Sequence, residues 1–150
     1  MVNTPQAFFG QILQTVAGQA FAAAGYTLQN NPMHQSRGLF RYVKTLEGDV
    51  AVYVEFQLLF YEGGPSRFRV NLLRNIGPDA RTSSNYSQRV DTTLSKLLWD
   101  TFGVRQFESA DHWWVFGNPN QLGHALAEAA RLVFAFGIPW LEGGLQPGQE

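Results

Sequence analysis

The sequence predicts an α+β fold: an antiparallel β-meander with helices packed mainly on one face, in the order α-β-β-β-α-(β)-β-α. Three observations predict it. Apolar-alternating runs follow one another between residues 39 and 75, joined by Glu47-Gly48-Asp49 and Glu62-Gly63-Gly64-Pro65-Ser66, turns that carry glycine for positive φ. A capping side chain followed by proline, the signature of a helix start, stands before the strands at Thr4-Pro5 and after them at Asn118-Pro119. Strands grouped in sequence with helices outside the group pack those helices against one side of an antiparallel sheet.

The first helix starts at Thr4-Pro5, buries Phe9, Ile12, Leu13, Val16, Ala20 and Phe21 at helical spacing, and ends at Gly25, a natural left-handed stop. Residues 29–38 are polar and rich in breakers, and read as a loop. Strands follow over about Leu39–Leu46, Val50–Tyr61 and Arg67–Asn75. In the first hairpin a three-residue turn pairs Phe40 with Phe56, Tyr42 with Val54 and Arg41 with Glu55, but sets Lys44 among apolar partners; a two-residue turn would shift every pair by one. In the second, pairing Phe60 with Phe68 sets Leu58 against Val70, Phe56 against Leu72 and Gln57 against Asn71, apolar with apolar and amide with amide.

Residues 76–86 form a long polar connection, expected to be a mobile loop. A second helix is predicted over roughly Ser87–Phe102, with Val90, Leu94, Leu97, Leu98 and Thr101 on one stripe and Gly103 as its end. Val104–Glu108 and His112–Phe116 can pair as a short hairpin. The last helix starts at Asn118-Pro119, buries Leu122, Ala125, Leu126, Ala129, Leu132, Val133 and Phe136, and is stopped by Gly137 and Pro139. Residues 1–150 read as a single domain with an ordered core of about 4–142 and a flexible tail.

Composition narrows the function. With 45% hydrophobic and 14% aromatic residues, the chain can build a core without staples. The absence of cysteine removes thiolate chemistry, disulfides and Cys-based zinc sites, and fits a cytoplasmic setting. A net charge of −1 with no basic run gives no footprint for nucleic acid, and no apolar run approaches a membrane span. The N-terminus lacks the pattern of a signal peptide.

Six residues stand out as candidate ligand-binding groups. Arg41, Glu55, Gln57, Arg69 and Asn71 gather on the polar sheet face if the strands pair as above, and Gln57 and Asn71 interrupt strongly apolar strands. An ordinary solvated face with an Arg–Glu pair is the plainer reading. Trp113 and Trp114 point to opposite faces of one strand, so at most one enters the core. The plainer reading covers the other with the last helix or Trp140, and the alternative is an exposed aromatic platform at Trp113. His124 and Glu128 are one helical turn apart, but no third ligand accompanies them, and a solvent-facing pair continued by Arg131 is the better reading. No nucleophile elbow, phosphate loop or dinucleotide fingerprint is present. No catalytic residue, metal or cofactor is therefore assigned.

Over Thr4–Glu142 the chain resembles the bacterial domain-of-unknown-function family four-three-zero-four. The residues that carry the resemblance are Ala24-Gly25-Tyr26, Glu55-Phe56-Gln57, Phe68-Arg69-Val70-Asn71-Leu72, Asp111-His112-Trp113-Trp114 and Ile138-Pro139-Trp140-Leu141-Glu142. The resemblance implies an α+β fold and no particular activity. The element order is also similar to the secretion-chaperone-like fold, whose members bind extended peptides. These readings favour a non-enzymatic cytoplasmic module that binds a protein segment or small ligand. Two alternatives stay open: a small hydrolase or transferase using Glu55, and a structural or oligomer-forming subunit such as a homodimer.

Overall fold

A computed structural model describes residues 4–47, 50–76 and 88–143. The expected mobile loop at 76–86 and the expected flexible tail fall largely outside those residues. The described elements run α1 (Pro5–Ala23), β1 (Thr27–Leu28), α2 (Pro32–Ser36), β2 (Leu39–Leu46), β3 (Val50–Leu59), β4 (Ser66–Ile76), β5 (Gln88–Thr93), α3 (Leu94–Lys96) with a π-turn (Leu97–Thr101), β6 (Trp114–Phe116), α4 (Pro119–Leu132) with a second π-turn (Val133–Gly137), and α5 (Ile138–Leu141). Among the described residues the sheet has six antiparallel strands in the order β1-β2-β3-β4-β5, with β6 beside β5 on the outer edge of β4. The α+β class and the meander are as the sequence predicts.

Helix α1 starts as expected: Thr4 Oγ1 accepts from Ala7 N at 3.0 Å and Pro5 opens the helix. Its buried stripe is Phe9, Gly10, Leu13, Ala17 and Phe21, while Val16 is exposed. Gly10 lets the helix settle onto β2, because a Cβ there would lie 2.7 Å from the Phe40 ring. The core lies between this helix, α4 and the even-numbered side chains of β2, β3 and β4, among them Phe40, Tyr42, Val54, Phe56, Phe68 and Leu72.

Where the structure departs from the sequence reading, local chemistry explains each case. The 29–38 stretch holds helix α2, which Asn31 caps by accepting from His34 N at 3.1 Å and Pro32 opens. The predicted second helix is half strand: β-branched Val90, Thr92 and Thr93 extend the chain along β4, and the cap is Thr93, whose Oγ1 accepts from Lys96 N. Leu94, Leu97 and Leu98 are buried as expected, whereas Val90 is exposed. No hairpin forms between 104–108 and 112–116; Trp114–Phe116 pairs instead with Ser66–Phe68 of β4. The last helix does not stop at Gly137. It runs on to Leu141 through a π-turn, whose wider loop precedes Pro139 at the point where a normal turn would need its missing N–H.

The first hairpin takes the three-residue-turn register, with Phe40 opposite Phe56 and Arg41 opposite Glu55. Lys44 is not stranded among apolar groups. Its Nζ donates to Ala24 O at 2.9 Å and pairs with Glu142 at 3.2 Å, while Tyr26 OH donates to the same carboxylate at 2.9 Å. The residue after α5 is thereby clasped to the turn after α1. The second hairpin is corrected by two residues: Leu58 faces Phe68, Phe56 faces Val70, Gln57 faces Arg69 and Glu55 faces Asn71. Ser66 holds the longer turn by accepting from Tyr61 N at 3.1 Å, and Phe60 stays exposed. A two-residue slip leaves every side chain on its predicted face.

Candidate functional site

The odd-numbered residues of β2, β3 and β4 face away from the helices. Near one end, Ala51, Tyr53 and Leu73 make a small second cluster with Val43. Beside it the corrected register builds a continuous polar row. Arg41 Nε and Nη2 donate to Glu55 Oε2 at 3.1 and 2.8 Å. Asn71 Nδ2 donates to Glu55 Oε1 at 2.8 Å and to Gln57 Oε1 at 3.1 Å. Arg69 Nε donates to the same Gln57 oxygen at 3.0 Å. The row is half-buried: the Glu55 side chain is 14% exposed, against 26% for Arg41 and 31% for Arg69.

Trp113 joins this row and Trp114 does not. Trp114 enters the core, stacked on Phe68 at 5.5 Å, with its indole N–H donating to Glu128 at 2.7 Å. Trp113 takes the opposite face of the sheet, where the guanidinium carbons of Arg69 and Arg67 lie 4.7 and 5.0 Å from its ring. What packs on Trp113 is thus a pair of arginines. All six candidates share one face, five in a hydrogen-bonded row and Trp113 stacked on its end.

A pocket of about 290 Å³ opens on this row, lined by Arg41, Glu55, Arg69 and Asn71 together with Tyr53, Leu72, Leu73, Asp91, Thr92 and Thr93. Gln57 lies outside the lining and orients Asn71 and Arg69. The sequence reading omitted Tyr53, although its odd position two residues before Glu55 was a usable sign. It also missed Asp91 and Thr93, because their segment was read as helix.

The arrangement suits binding better than catalysis. Glu55 accepts three N–H groups, two at Oε2 and one at Oε1, which leaves at most one lone pair, on Oε1, for a general base to offer. Both N–H groups of Asn71 are likewise committed to Glu55 and Gln57, which leaves its carbonyl oxygen as the atom with capacity to spare. Arg69 uses Nε internally, and among the described residues Nη1 has only the exposed Asp111 carboxylate at 3.9 Å.

Comparison of the chain with protein-family models, with curated proteins and with solved structures finds no match. Its chemistry is therefore argued from its own residues. Among the described residues no group of three or more His, Asp or Glu side chains could hold a metal, and no helix is long and apolar enough to cross a membrane. His124 is exposed, and Glu128 is engaged by Trp114 and by Gln106 at 3.2 Å.

His112 adds a titratable group behind the row. Its ring stacks on Phe107 at 3.9 Å and meets Trp114 edge-on at 4.7 Å. Burial lowers its pKa from the ordinary 6.5, against an opposing pull from the Glu128 carboxylate. The folded form then binds fewer protons than the unfolded one just below that value, so stability is fully present above about pH 6.5 and is lost as pH falls through it toward the folded pKa. Thermal melts between pH 7.5 and pH 5.5 should show a fall in Tm that flattens in His112→Gln. An unchanged slope in that variant would assign the pH dependence to other groups.

Proposed function

We propose that the protein is a non-enzymatic binding module that takes a short protein segment or a small ligand bearing carboxylate and amide groups in the sheet-face pocket. The observation that carries the reading is the Arg41–Glu55–Asn71–Gln57–Arg69 row. Its internal hydrogen bonds fix each side chain before any ligand arrives, which lowers the ordering cost of binding. It still offers an Arg69 donor suited to a carboxylate and an Asn71 carbonyl suited to an amide N–H. The hydrolase or transferase alternative depends on Glu55, which already accepts three N–H groups and keeps at most one lone pair. A cytoplasmic location is part of the proposal and rests on the cysteine-free composition. Membership of family four-three-zero-four is also a proposal. In its support, the Ala24-Gly25-Tyr26 and Ile138–Glu142 motifs meet in the Tyr26–Glu142–Lys44 clasp.

Calorimetric titration with a panel of acetylated, amidated tripeptides carrying one glutamate is the direct test. A peptide that binds wild type is expected to bind Asn71→Ala about tenfold more weakly, the scale of one lost hydrogen bond to a preorganised acceptor. Equal affinity for the two proteins would place the binding elsewhere.

A further inference from the structure

The end of the polar row continues past the pocket into a surface of different character. Arg67 and Arg69 are alternate residues of β4, so both project from the open face, one strand repeat apart. Trp113 lies under both guanidinium groups, and Tyr61 lies 5.7 Å from that of Arg67, with its hydroxyl 3.4 Å from Arg67 Nη2. Val115, the cross-strand partner of Arg67, is 59% exposed, and Tyr61 is 45% exposed. Tyrosine, tryptophan and arginine side by side is the composition of binding hot spots.

Of the two guanidinium groups, Arg69 has one carboxylate nearby, the exposed Asp111 at 3.9 Å. Among the described residues Arg67 has no carboxylate within salt-bridge distance, and its Nε is shut off from solvent without a hydrogen-bond partner. A partly desolvated cation is costly alone and favourable beside an anion, which the Nη groups rather than the enclosed Nε would have to meet. An open hollow of about 510 Å³ beside Arg67 and Trp113 is lined by Glu108 and Asp111 as well, so the carboxylates of an acidic segment would meet the arginines at the edge of that hollow and not along its floor.

We infer that the Arg67–Trp113–Arg69 stack is an anchoring surface for an extended acidic peptide segment, one with carboxylates at alternate positions. The inference rests on the binding-module reading and names the class of partner. The spacing selects the partner: side chains two apart in an extended chain repeat at about 6.5–7 Å on one face, and the two arginines repeat at that same strand interval. Aliphatic side chains of the segment would meet Val115 and Tyr61. Planar guanidinium groups held against an indole are pre-oriented for carboxylates, so little side-chain freedom is lost on binding.

The test uses fluorescein-labelled hexapeptides followed by fluorescence polarisation: alternating Glu-Thr, the matched Gln-Thr, and a peptide of the same composition as the first with its glutamates contiguous. Wild type should bind the alternating glutamate peptide at least about tenfold more tightly than the glutamine peptide, and less tightly as salt is raised. Arg67→Gln should reduce that preference to about twofold or less, and Arg67→Lys should retain part of it. Equal binding of the glutamate and glutamine peptides overturns the inference, as does a preference that survives Arg67→Gln. Binding of the contiguous peptide as tightly as the alternating one overturns the spacing argument. Asn71→Ala separates this result from the pocket reading: unchanged glutamate preference there with unchanged tripeptide affinity would refute the pocket and leave the anchoring surface standing.

Discussion

Truncating Phe21 to alanine is expected to destabilise the fold by about 4 kcal/mol, near the upper end for loss of a buried aromatic ring. Phe21 is fully buried where four elements or their connections meet. It stacks on Tyr42 of β2 at 4.1 Å and 11°, lies 4.9 Å from Phe134 of the C-terminal π-turn, and meets Phe56 of β3 and Tyr26 edge-on at 6.1 and 5.9 Å. Removing the ring takes contacts from all of these at once, and a helix seated on a twisted sheet cannot collapse into the space. One effect opposes the loss. The Tyr42 hydroxyl is buried without a hydrogen-bond partner, and burial pushes its pKa up to about 12. Water entering the new cavity would hydrate it. Urea denaturation should show a midpoint shift at unchanged slope, and melting should show a Tm lower by about 10 °C. A loss below about 2 kcal/mol would mean that the surrounding rings close over the gap. Phe21→Leu, which keeps most of the volume, should lose only about 1 kcal/mol.

Sequence patterns told most where only one arrangement satisfied them. The first hairpin register was half legible: a three-residue turn opposes Arg41 to Glu55 and Phe40 to Phe56, but it set Lys44 opposite Val52 and so left the two-residue turn open. The second was not, since sliding by two residues keeps both faces intact and Phe60 looked as suitable a partner as Leu58. What decides it is the polar row, in which Asn71 lies opposite Glu55 and bridges to Gln57. Strand β5 was hidden because Val90, Leu94, Leu97 and Leu98 repeat like a helical stripe; the adjacent β-branched pair Thr92-Thr93 was the contrary sign. The five sheet candidates were placed on one face by parity, which survives an even slip, and Trp113 came from the alternation of the Trp pair. Arg67, although on the same face, was missed because it stood at a predicted strand end.

Glu55→Gln is the second large change, expected to cost about 2 kcal/mol after allowance for partial exposure of the pair. The new amide matches the carboxylate in shape but has one oxygen to replace two. If that oxygen serves Arg41, the new –NH₂ meets the Asn71 –NH₂, donor against donor. Asn71 can resolve this only by turning its amide, which presents its oxygen to Gln57; Gln57 must then turn as well and withdraw the oxygen that Arg69 Nε uses. The change at one end of the row thus reaches the arginine stacked on Trp113 at the other, although Glu55 and Arg69 share no hydrogen bond. Additivity measures that transmission. A double-mutant cycle of Glu55→Gln with Arg69→Gln should show a coupling of about 0.5–1 kcal/mol, whereas independent sites add to within about 0.3–0.5. Strict additivity would show that the five side chains are separate pairs. A measurable coupling would mean that they turn together, so that a ligand held at Arg69 is felt at Arg41.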